Sequence, residues 1–339
     1  MSKSVPQLTA QLSPATGDLL HIVRGGIDYK ITYEDFISLI YGPTGNTVYV
    51  NSVYGDDATA QVENPAKPFL TIAAAHAASA AYWTGGTAPS AANIITFKIK
   101  GTFTENVTLK NYHNYDISDS DITGLIGDGG VSTNSIIYGN GSIAATSSNV
   151  LQATAASTIV VKIYSITGRI VPAHASAFIN ISGVQYMYVN NDNVFNLVDG
   201  TLWVDNCYIT GFGQPVLLTG NEGTAIFRDC VFLSDNEILK TPTSANTSVI
   251  KFDNCYMKTT GSNKDTVNLL TNTGGNVALT LKNCTLIANG TGNSIDAAQA
   301  TNVYIQGSCE TNLTHDTGNV TLLGGTVANG RFLISTDIS

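Results

Sequence analysis

The chain has few residue clusters that could do acid–base or metal chemistry, and the most prominent is a short run of aspartates. Its members are Asp116, Asp119, Asp121 and Asp128. Carboxylates this close together could hold a Ca²⁺ ion or act as an acid pair, because both tasks bring several carboxyl oxygens to one place. The spacing lacks the pattern of an EF-hand loop, with its central glycine and final glutamate. The sequence therefore favours solvated turn residues over a catalytic or Ca²⁺ site.

A second candidate combines carboxylates with a guanidinium group. Asp205, Arg228 and Asp253 occupy the same position in three successive copies of a short repeat, and Lys282 follows in the next copy. Two carboxylates around an arginine could in principle form an active site. Charges that alternate in sign between adjacent strands also stabilise one strand register, by roughly 0.2–1 kcal/mol per pair. We favour the register interpretation and assign no catalytic residues.

No other pattern indicates catalysis or metal binding. The histidines are His21, His76, His113, His174 and His315. They form neither an i, i+4 pair nor an H-x-E motif, which are common arrangements of zinc ligands. The sequence also contains no G-x-S-x-G motif and no phosphate-binding loop. We therefore expect no metal ion and no cofactor.

Aromatic and aliphatic residues at outward positions of the repeat are the best candidates for binding. They are Trp203, Tyr208, Ile226, Val231, Tyr256 and Tyr304. Aromatic faces stack on sugar rings and also anchor protein interfaces. The aliphatic members of the set favour a face buried against another subunit, and a glycan-binding site is the alternative.

The elements that must position these residues are marked by five cysteines, each of which ends a copy of one short pattern such as Leu202–Cys207. The cysteines are Cys207, Cys230, Cys255, Cys284 and Cys309. Their intervals of 23, 25, 29 and 25 residues are typical of one coil of a solenoid. The chain is therefore expected to wind repeatedly, with one cysteine per coil.

Apolar and polar residues alternate within each copy, which is the signature of a half-buried strand. Leu202, Val204 and Cys207 are expected to face inward, while Trp203 and Asp205 face outward. Stacked coils place identical positions about 4.8 Å apart. The cysteines then form a structural column in the core, where they behave as small apolar residues, and we expect them to be reduced.

A bend follows the strand in each copy. The residues at this position are Asn206, Asp229, Asn254, Asn283 and Gly307. All are residue types that tolerate a left-handed backbone conformation. The pattern is less regular from Ile136 to Val194, where we assign Met187, Val189 and Val194 to inward positions, Asn191 to the bend and Asp192 to the cysteine position.

Composition sets limits on the function. The chain has 339 residues, of which only 12% are charged, and its formal net charge is −9. An acidic chain without a basic surface argues against a nucleic-acid partner. No apolar run approaches the length of a membrane span, and the first residues lead into no signal sequence. We expect no membrane insertion.

The repeat resembles the right-handed parallel β-helix of the pectate-lyase-like superfamily. A second match lies upstream, where Tyr49–Asp57 and Asn64–Ala75 resemble the entry segment Y-V-N-x-x-x-G-D-D…N-P-x-K-P-F-x-T-I-x-x-A of many β-helix proteins. The resemblance implies an all-β, single-stranded parallel β-helix. An α-helix near residues 71–81, capped by Thr71, would close its end. This fold hosts lyases, hydrolases, esterases and inert fibres, so the resemblance specifies architecture more than activity.

The N-terminal segment resembles the D-x-x-x-x-V-R-G-G-x-x-Y-K-I-T-x-x-D-F segments of phage tail-fibre and other virion-fibre proteins. The residues that carry this match, and that it implicates in attachment to the virion, are Asp18, Arg24, Gly25, Gly26, Tyr29, Asp35 and Phe36. The local pattern indicates two short strands joined by a Gly-Gly turn. We divide the chain into an attachment module at residues 1–41, a linker at 42–47, a β-helix at 48–318, and a terminal coil and C-terminal arm at 319–339.

These features together predict a structural fibre or spike of a bacteriophage virion, attached to tail or head, that mediates adhesion to the host surface. We expect a homotrimer that is assembled in the host cytoplasm and contacts other virion proteins through its N-terminus. Its external partner is expected to be a host-surface glycan or protein. The alternatives are a tailspike glycan depolymerase, either hydrolase or lyase, and a purely structural decoration or baseplate protein.

Overall fold

The protein is an all-β structure whose main part is a parallel β-helix. A computed structural model describes residues 19–24, 27–32, 46–189, 193–211, 213–240, 248–268, 277–289, 295–296, 301–311, 320–322, 326–328 and 331–333. The chain divides into two compact units, Met1–Thr84 and Gly85–Ser339.

The first unit contains an antiparallel hairpin, a short strand and an α-helix. The hairpin strands are β1 (Leu19–Arg24) and β2 (Ile27–Thr32), which confirms the two strands predicted around the Gly-Gly pair. Strand β3 spans Thr47–Asn51 and helix α1 spans Ile72–Tyr82. The predicted cap is also confirmed, because the Thr71 hydroxyl accepts a hydrogen bond from the Ala74 amide at 3.1 Å.

The loop between β3 and α1 shows how residues of the entry motif are held together by hydrogen bonds. One oxygen of the Asp57 carboxylate accepts the backbone amides of Leu70 and Thr71, at 2.7 and 3.1 Å. The other accepts the Thr71 hydroxyl at 2.9 Å. Gly55 lies so close to the Phe69 carbonyl that any Cβ would clash with it. The motif therefore builds a fixed turn into the helix, and its role as a cap for the β-helix stays a prediction.

The second unit begins with a short 3₁₀ helix, Gly85–Thr87, and continues as a series of strands. Those of the first coils are β4 (Ile95–Thr104), β5 (Val107–Thr108), β6 (His113–Asp116), β7 (Ser120–Thr123), β8 (Ile126–Gly127), β9 (Asn134–Tyr138), β10 (Ser142–Ala153), β11 (Thr158–Lys162), β12 (Ser165–Pro172), β13 (Phe178–Ser182) and β14 (Tyr186–Val189). The later ones are β15 (Phe195–Asp205), β16 (Tyr208–Gly211), β17 (Val216–Arg228), β18 (Val231–Ser234), β19 (Leu239–Lys240), β20 (Val249–Asp253), β21 (Tyr256–Thr259), β22 (Val267–Asn268), β23 (Val277–Lys282), β24 (Thr285–Ile287), β25 (Ile295–Asp296), β26 (Thr301–Gln306), β27 (Glu310–Thr311), β28 (Val320–Leu322), β29 (Thr326–Ala328) and β30 (Arg331–Leu333).

Three parallel sheets form the walls of the β-helix, and each coil passes through them in turn. Sheet 1 stacks β6, β9, β11, β13, the ends of β15 and β17, β20, β23, β26 and β28. Sheet 2 stacks β7, the starts of β10 and β12, β14, β16, β18, β21, β24 and β27. Sheet 3 stacks β5, β8, the ends of β10 and β12, the starts of β15 and β17, β19, β22 and β25. Strand β4 runs through sheets 1 and 2.

Strand register is maintained although the coils differ in length. Paired residues are 18 apart between Ile95 and His113 and 29 apart between Val249 and Ala278. The turns between sheets take up the difference, so the alternation of inward and outward side chains is the same in successive strands.

The core is filled by inward side chains stacked coil on coil, and its bulkiest part is an aromatic cluster. Phe227 contacts the rings of Phe195, Phe232 and Phe252, with centroid distances of 5.3, 5.3 and 4.9 Å. All four rings are fully buried. The ring of Phe227 is nearly parallel to that of Phe252, at 15°, because the two residues are direct partners in sheet 1.

The predicted bend between sheets 1 and 2 is confirmed. Asn206, Asp229, Asn254 and Asn283 have φ between 51° and 55°, a left-handed conformation that asparagine and aspartate tolerate better than most residues. Gly307 continues the series at φ 66°. A Cβ there would approach the Asn283 side-chain oxygen, which would have to move aside.

The assignment of the coil before the first cysteine was wrong, because the residues assigned to the strand before the bend lie in the strand after it. Met187 pairs with Ile209 after the bend in sheet 2, and not with a residue before it. Gly183, at φ 68°, takes the bend and Val184 takes the position of the cysteine. The Val184 carbonyl accepts the Tyr208 amide just as the Cys207 carbonyl accepts that of Val231. Met187 and Val189 are buried as predicted, while Asn191 and Asp192 lie outside the described residues.

The strands after Cys309, the last cysteine, pair in two different ways. Strand β28 adds to sheet 1 in parallel with β26, as expected for a terminal coil. Strands β29 and β30 instead form an antiparallel pair.

Candidate functional site

The aspartate run does not form a common site. Asp116 accepts the amide and hydroxyl of Ser118, at 3.1 and 2.6 Å, and Asp119 accepts the Asn140 amide group at 3.1 Å. Asp119 is a turn residue as predicted, whereas Asp116 ends β6 and Asp121 lies in β7. Across the described part of the chain, no three His, Cys, Asp or Glu side chains converge as a metal site.

Asp128 is the exception, because it is buried in the body of the second unit and not solvated as predicted. Its carboxylate accepts the backbone amides of Gly130, Thr154 and Ala155, at 3.0, 2.8 and 2.8 Å. It also accepts the hydroxyls of Thr154 and Ser157, at 2.7 and 2.8 Å. Burial favours the neutral form of Asp128, but the hydrogen bonds outweigh it and lower the pKa. Asp128 therefore joins two adjacent coils and has a structural role.

The alternating charges lie in one row, as the register interpretation predicted. Asp205, Arg228, Asp253 and Lys282 are successive partners in sheet 1. The Lys282 Nζ lies 3.1 Å from an Asp253 carboxylate oxygen. The Arg228 guanidinium lies 5.3 Å from the centre of the Trp203 ring, which is within range of a cation–π interaction. These contacts link side chains of neighbouring strands on the outer face of sheet 1.

The five cysteines form a buried column of free thiols, as predicted. The thiols donate to backbone carbonyls at sulfur–oxygen distances such as 3.1 Å from Cys230 to Arg228 and 3.4 Å from Cys255 to Asp253. Hydrogen bonding to the neighbouring thiol, followed by burial, raises the pKa of Cys207, Cys255 and Cys309.

Replacing Cys230 with serine should lower the free energy of unfolding by about 1–3 kcal/mol, because a hydroxyl replaces an apolar thiol in the core. Cys230→Val is the matched control and should cost less, since Val184 already occupies the equivalent position of another coil. Chemical denaturation would measure both. Rapid labelling of all five thiols in the native protein would contradict their burial.

The six predicted outward residues lie on two different sheets. Tyr208, Val231 and Tyr256 are successive partners in sheet 2. Trp203 and Ile226 are partners in sheet 1. Tyr304 lies in the same row of sheet 1, three coils beyond Ile226. The bend at Asn206 and its equivalents separates the two groups. They are therefore two surfaces.

Sheet 2 carries more exposed aromatic residues than the sequence indicated. We define the tyrosine surface as Tyr186, Tyr188, Tyr208 and Tyr256 in sheet 2 together with Tyr164, which directly precedes β12. Tyr164, Tyr186 and Tyr208 are 55%, 41% and 37% exposed. The rings of Tyr186 and Tyr188 lie 6.0 Å apart and within 16° of parallel. Tyr164, Tyr186 and Tyr188 were missed because the cysteine marks the later coils only.

The outward neighbours of these tyrosines are of mixed character, because hydroxyl residues lie beside Tyr186 and Tyr188 whereas Val231, Leu233 and Lys258 lie beside Tyr208 and Tyr256. In sheet 2 the outward positions on β12, β14, β16 and β18 hold serine, threonine, tyrosine, valine and leucine. The hydroxyls of Ser165 and Thr167 precede Tyr186 and Tyr188 by one coil, and Thr210 follows Tyr188. Aromatic rings among hydroxyl groups can stack on sugar rings and hydrogen-bond to their hydroxyls.

The predicted attachment residues belong to the first unit. Arg24 lies in β1 and Tyr29 in β2, on either side of Gly25 and Gly26. The other members of the set, Asp18, Asp35 and Phe36, lie outside the described residues, as do Gly25 and Gly26 themselves.

The fold and its surfaces define the class of this protein: a parallel β-helix with an exposed tyrosine surface on one sheet. No family model, curated protein or solved structure matches the chain. Among the described residues, no helix is both long and apolar enough to cross a membrane.

Proposed function

We propose that the protein is a structural fibre or spike of a bacteriophage virion that adheres to a glycan on the host surface. The tyrosine surface carries this proposal. It places Tyr186 and Tyr208 at equivalent positions on two successive coils, about 4.8 Å apart, with Ser165, Thr167 and Thr210 beside them and Tyr256 two coils beyond Tyr208. A β-helix supports such a role because its stacked coils fix the relative positions of the rings.

The N-terminal segment would attach the fibre to tail or head. Its resemblance to virion-fibre segments supports this part of the proposal, and the hairpin of β1 and β2 gives the matched residues a defined local structure. The protein would function as a homotrimer in the virion after assembly in the host cytoplasm.

Removing two rings of the tyrosine surface should weaken adhesion. The double variant Tyr186→Ala and Tyr208→Ala should bind host cells or extracted surface glycan about tenfold less well, because an aromatic contact contributes about 0.5–1.5 kcal/mol beyond its buried area. Tyr304→Ala, on sheet 1, is the matched control and should bind normally. Binding would be measured by retention on immobilised glycan. Equal loss in both variants would contradict the assignment to sheet 2.

The same experiment separates adhesion from cleavage. Incubation with the purified glycan should leave its chain length unchanged, because Asp205 and Asp253 lie in the charged row of sheet 1 and Asp128 is buried in hydrogen bonds, so that these carboxylates do not form an acid pair. Chain shortening that disappears in Asp205→Asn or Asp253→Asn would support the depolymerase alternative. Absence of both binding and cleavage would support a purely structural component.

A further inference from the structure

The five cysteines are stacked in register, each one coil from the next. In four successive coils, the backbone amide that follows a cysteine donates to the carbonyl of the cysteine in the preceding coil, at 2.8 to 3.0 Å. The pairs are Val231 with Cys207, Tyr256 with Cys230, Thr285 with Cys255 and Glu310 with Cys284. Neighbouring cysteines are therefore separated by the spacing of adjacent strands, about 4.8 Å.

The thiols point in the same direction along this column. Besides a carbonyl of its own coil, each of the last four thiols donates to a carbonyl of the preceding coil, at 3.4 to 3.6 Å. These acceptors are Val204 for Cys230, Phe227 for Cys255, Phe252 for Cys284 and Leu281 for Cys309. Since the thiols share one orientation, their sulfur atoms repeat at the same spacing as the coils.

We propose that adjacent thiols of this column bind a soft monovalent metal ion such as Cu(I), in linear two-coordinate geometry. Thiolate sulfur is the ligand that such ions select. A metal–thiolate bond is about 2.3 Å long in zinc sites, so a linear sulfur–metal–sulfur unit spans about 4.6 Å. This length is close to the spacing of the coils, about 4.8 Å, so the ion would bridge two coils without moving them.

The column does not suit a tetrahedral or an oxygen-binding ion. A tetrahedral Zn²⁺ site needs four ligands around one point, whereas no three His, Cys, Asp or Glu side chains of the described residues converge in this way. Linear binding needs only two neighbours. The thiols are at most 4% exposed, so a hydrated cation such as Mg²⁺ would lose its water ligands and find no oxygen ligands in their place.

The spacing also disfavours a disulfide between neighbouring coils. A disulfide joins Cβ atoms about 3.8 Å apart, which is about 1 Å less than the strand spacing. Forming one would pull two coils together against their backbone hydrogen bonds. All five cysteines are free thiols, which leaves their sulfur lone pairs available to a metal ion.

Binding of each ion releases one proton. The ion bonds to the thiolate of one cysteine and to a lone pair of the neighbouring thiol, one S–H bond breaks, and the proton passes to solvent without any transfer of electrons. The charge of the ion cancels that of the single thiolate. The complex is therefore neutral, which avoids the cost of burying a net charge in the core.

The number of ions depends on which cysteines are neighbours. If each thiol serves one ion, five thiols in a column hold two ions. Without Cys255, two pairs of neighbours remain, so two ions can still bind. Without Cys230, Cys207 has no neighbour, and the other three thiols can form only one pair.

Titration of the folded full chain with Ag(I), which has the same charge and ligand preference as Cu(I), would test the proposal. After incubation in chloride-free buffer until retention is constant, and removal of free metal by gel filtration, elemental analysis should find two ions per natural chain. Cys255→Val should retain two ions and Cys230→Val one, although both variants have four thiols. Equal retention in the two variants would overturn the pairing, and no retention by the natural protein would overturn the site.

Denaturation with urea shows whether the ion binds the folded chain. Ag(I) should raise the urea midpoint of the natural protein and of Cys255→Val, because a ligand that binds the folded state stabilises it. Valine is suited to both substitutions, since Val184 takes the equivalent position in the coil before Cys207, and alanine variants should give the same ion counts. A midpoint that Ag(I) leaves unchanged or lowers would mean that the ion binds thiols of the unfolded chain, and would overturn the proposal.

Discussion

Replacing Phe227 with alanine should lower the free energy of unfolding by about 3–5 kcal/mol, the usual cost of removing a buried aromatic ring. Phe227 contacts three other rings, and its strand pairs on both sides with strands that must keep their register. The cavity would therefore lie in the middle of a continuous core, where neighbouring coils cannot collapse into it without losing backbone hydrogen bonds. Urea denaturation followed by circular dichroism would measure the loss.

Ile226→Ala is the matched control, since it changes the adjacent residue on the outer face of the same strand. It should cost well under half as much in unfolding free energy at concentrations where the chain is monomeric. If both substitutions had equal effects, the inward and outward positions of sheet 1 would have to be exchanged.

Replacing Asp128 with asparagine should lower the free energy of unfolding by about 2–4 kcal/mol at neutral pH. The carboxylate accepts five hydrogen bonds from Gly130, Thr154, Ala155 and Ser157. The side-chain NH₂ group of asparagine donates hydrogen bonds and does not accept them. It would therefore face some of the amides and hydroxyls that now donate to the carboxylate, and buried backbone amides would be left unpaired. Asp119→Asn is the control, because Asp119 is exposed and asparagine also tolerates its φ of 58°.

The contribution of Asp128 to the free energy of unfolding should decrease as the pH falls. The pKa of Asp128 is lower in the folded chain than its ordinary value, so ionised Asp128 stabilises the fold above the ordinary aspartate pKa of about 3.9. This contribution is lost as the pH falls through the lower pKa of the folded state. The difference in stability between the natural protein and Asp128→Asn should therefore shrink in acid, and a difference that grew in acid would contradict the hydrogen-bonding scheme.

Local features of the sequence were sufficient to predict much of the β-helix. The alternation around each cysteine predicted which side chains are buried, and the asparagines at the bend predicted its left-handed conformation. Thr71 predicted the start of the helix at Ile72, because an N-cap acts on amides within one turn of itself. Each of these signals lies within a few residues of the structure that it specifies.

The errors arose where the determining contacts are distant in sequence. Asp128 resembled its exposed neighbours Asp119 and Asp121, while four of its five hydrogen-bond donors, on Thr154, Ala155 and Ser157, lie 26 to 29 residues further along the chain. The coil around Val184 was displaced because glycine and valine replace the asparagine and cysteine that mark the later coils. Trp203 and Tyr208 lie on different surfaces because the turn between sheets 1 and 2 separates them. The alternation of apolar and polar residues along a strand does not specify the angle of that turn.

The left-handed bend has a consequence for how such a protein can change in length. Each coil contacts the coil before it and the coil after it through the same register, and the coils already vary from 18 to 29 residues. A duplicated or deleted coil would therefore leave its former neighbours with compatible partners, provided that it carries a residue such as Asn206 or Gly307 at the bend. The length of the β-helix could then change during evolution in steps of about 4.8 Å, the spacing of neighbouring strands. Each added coil would pack on the existing core, so no new core would be needed.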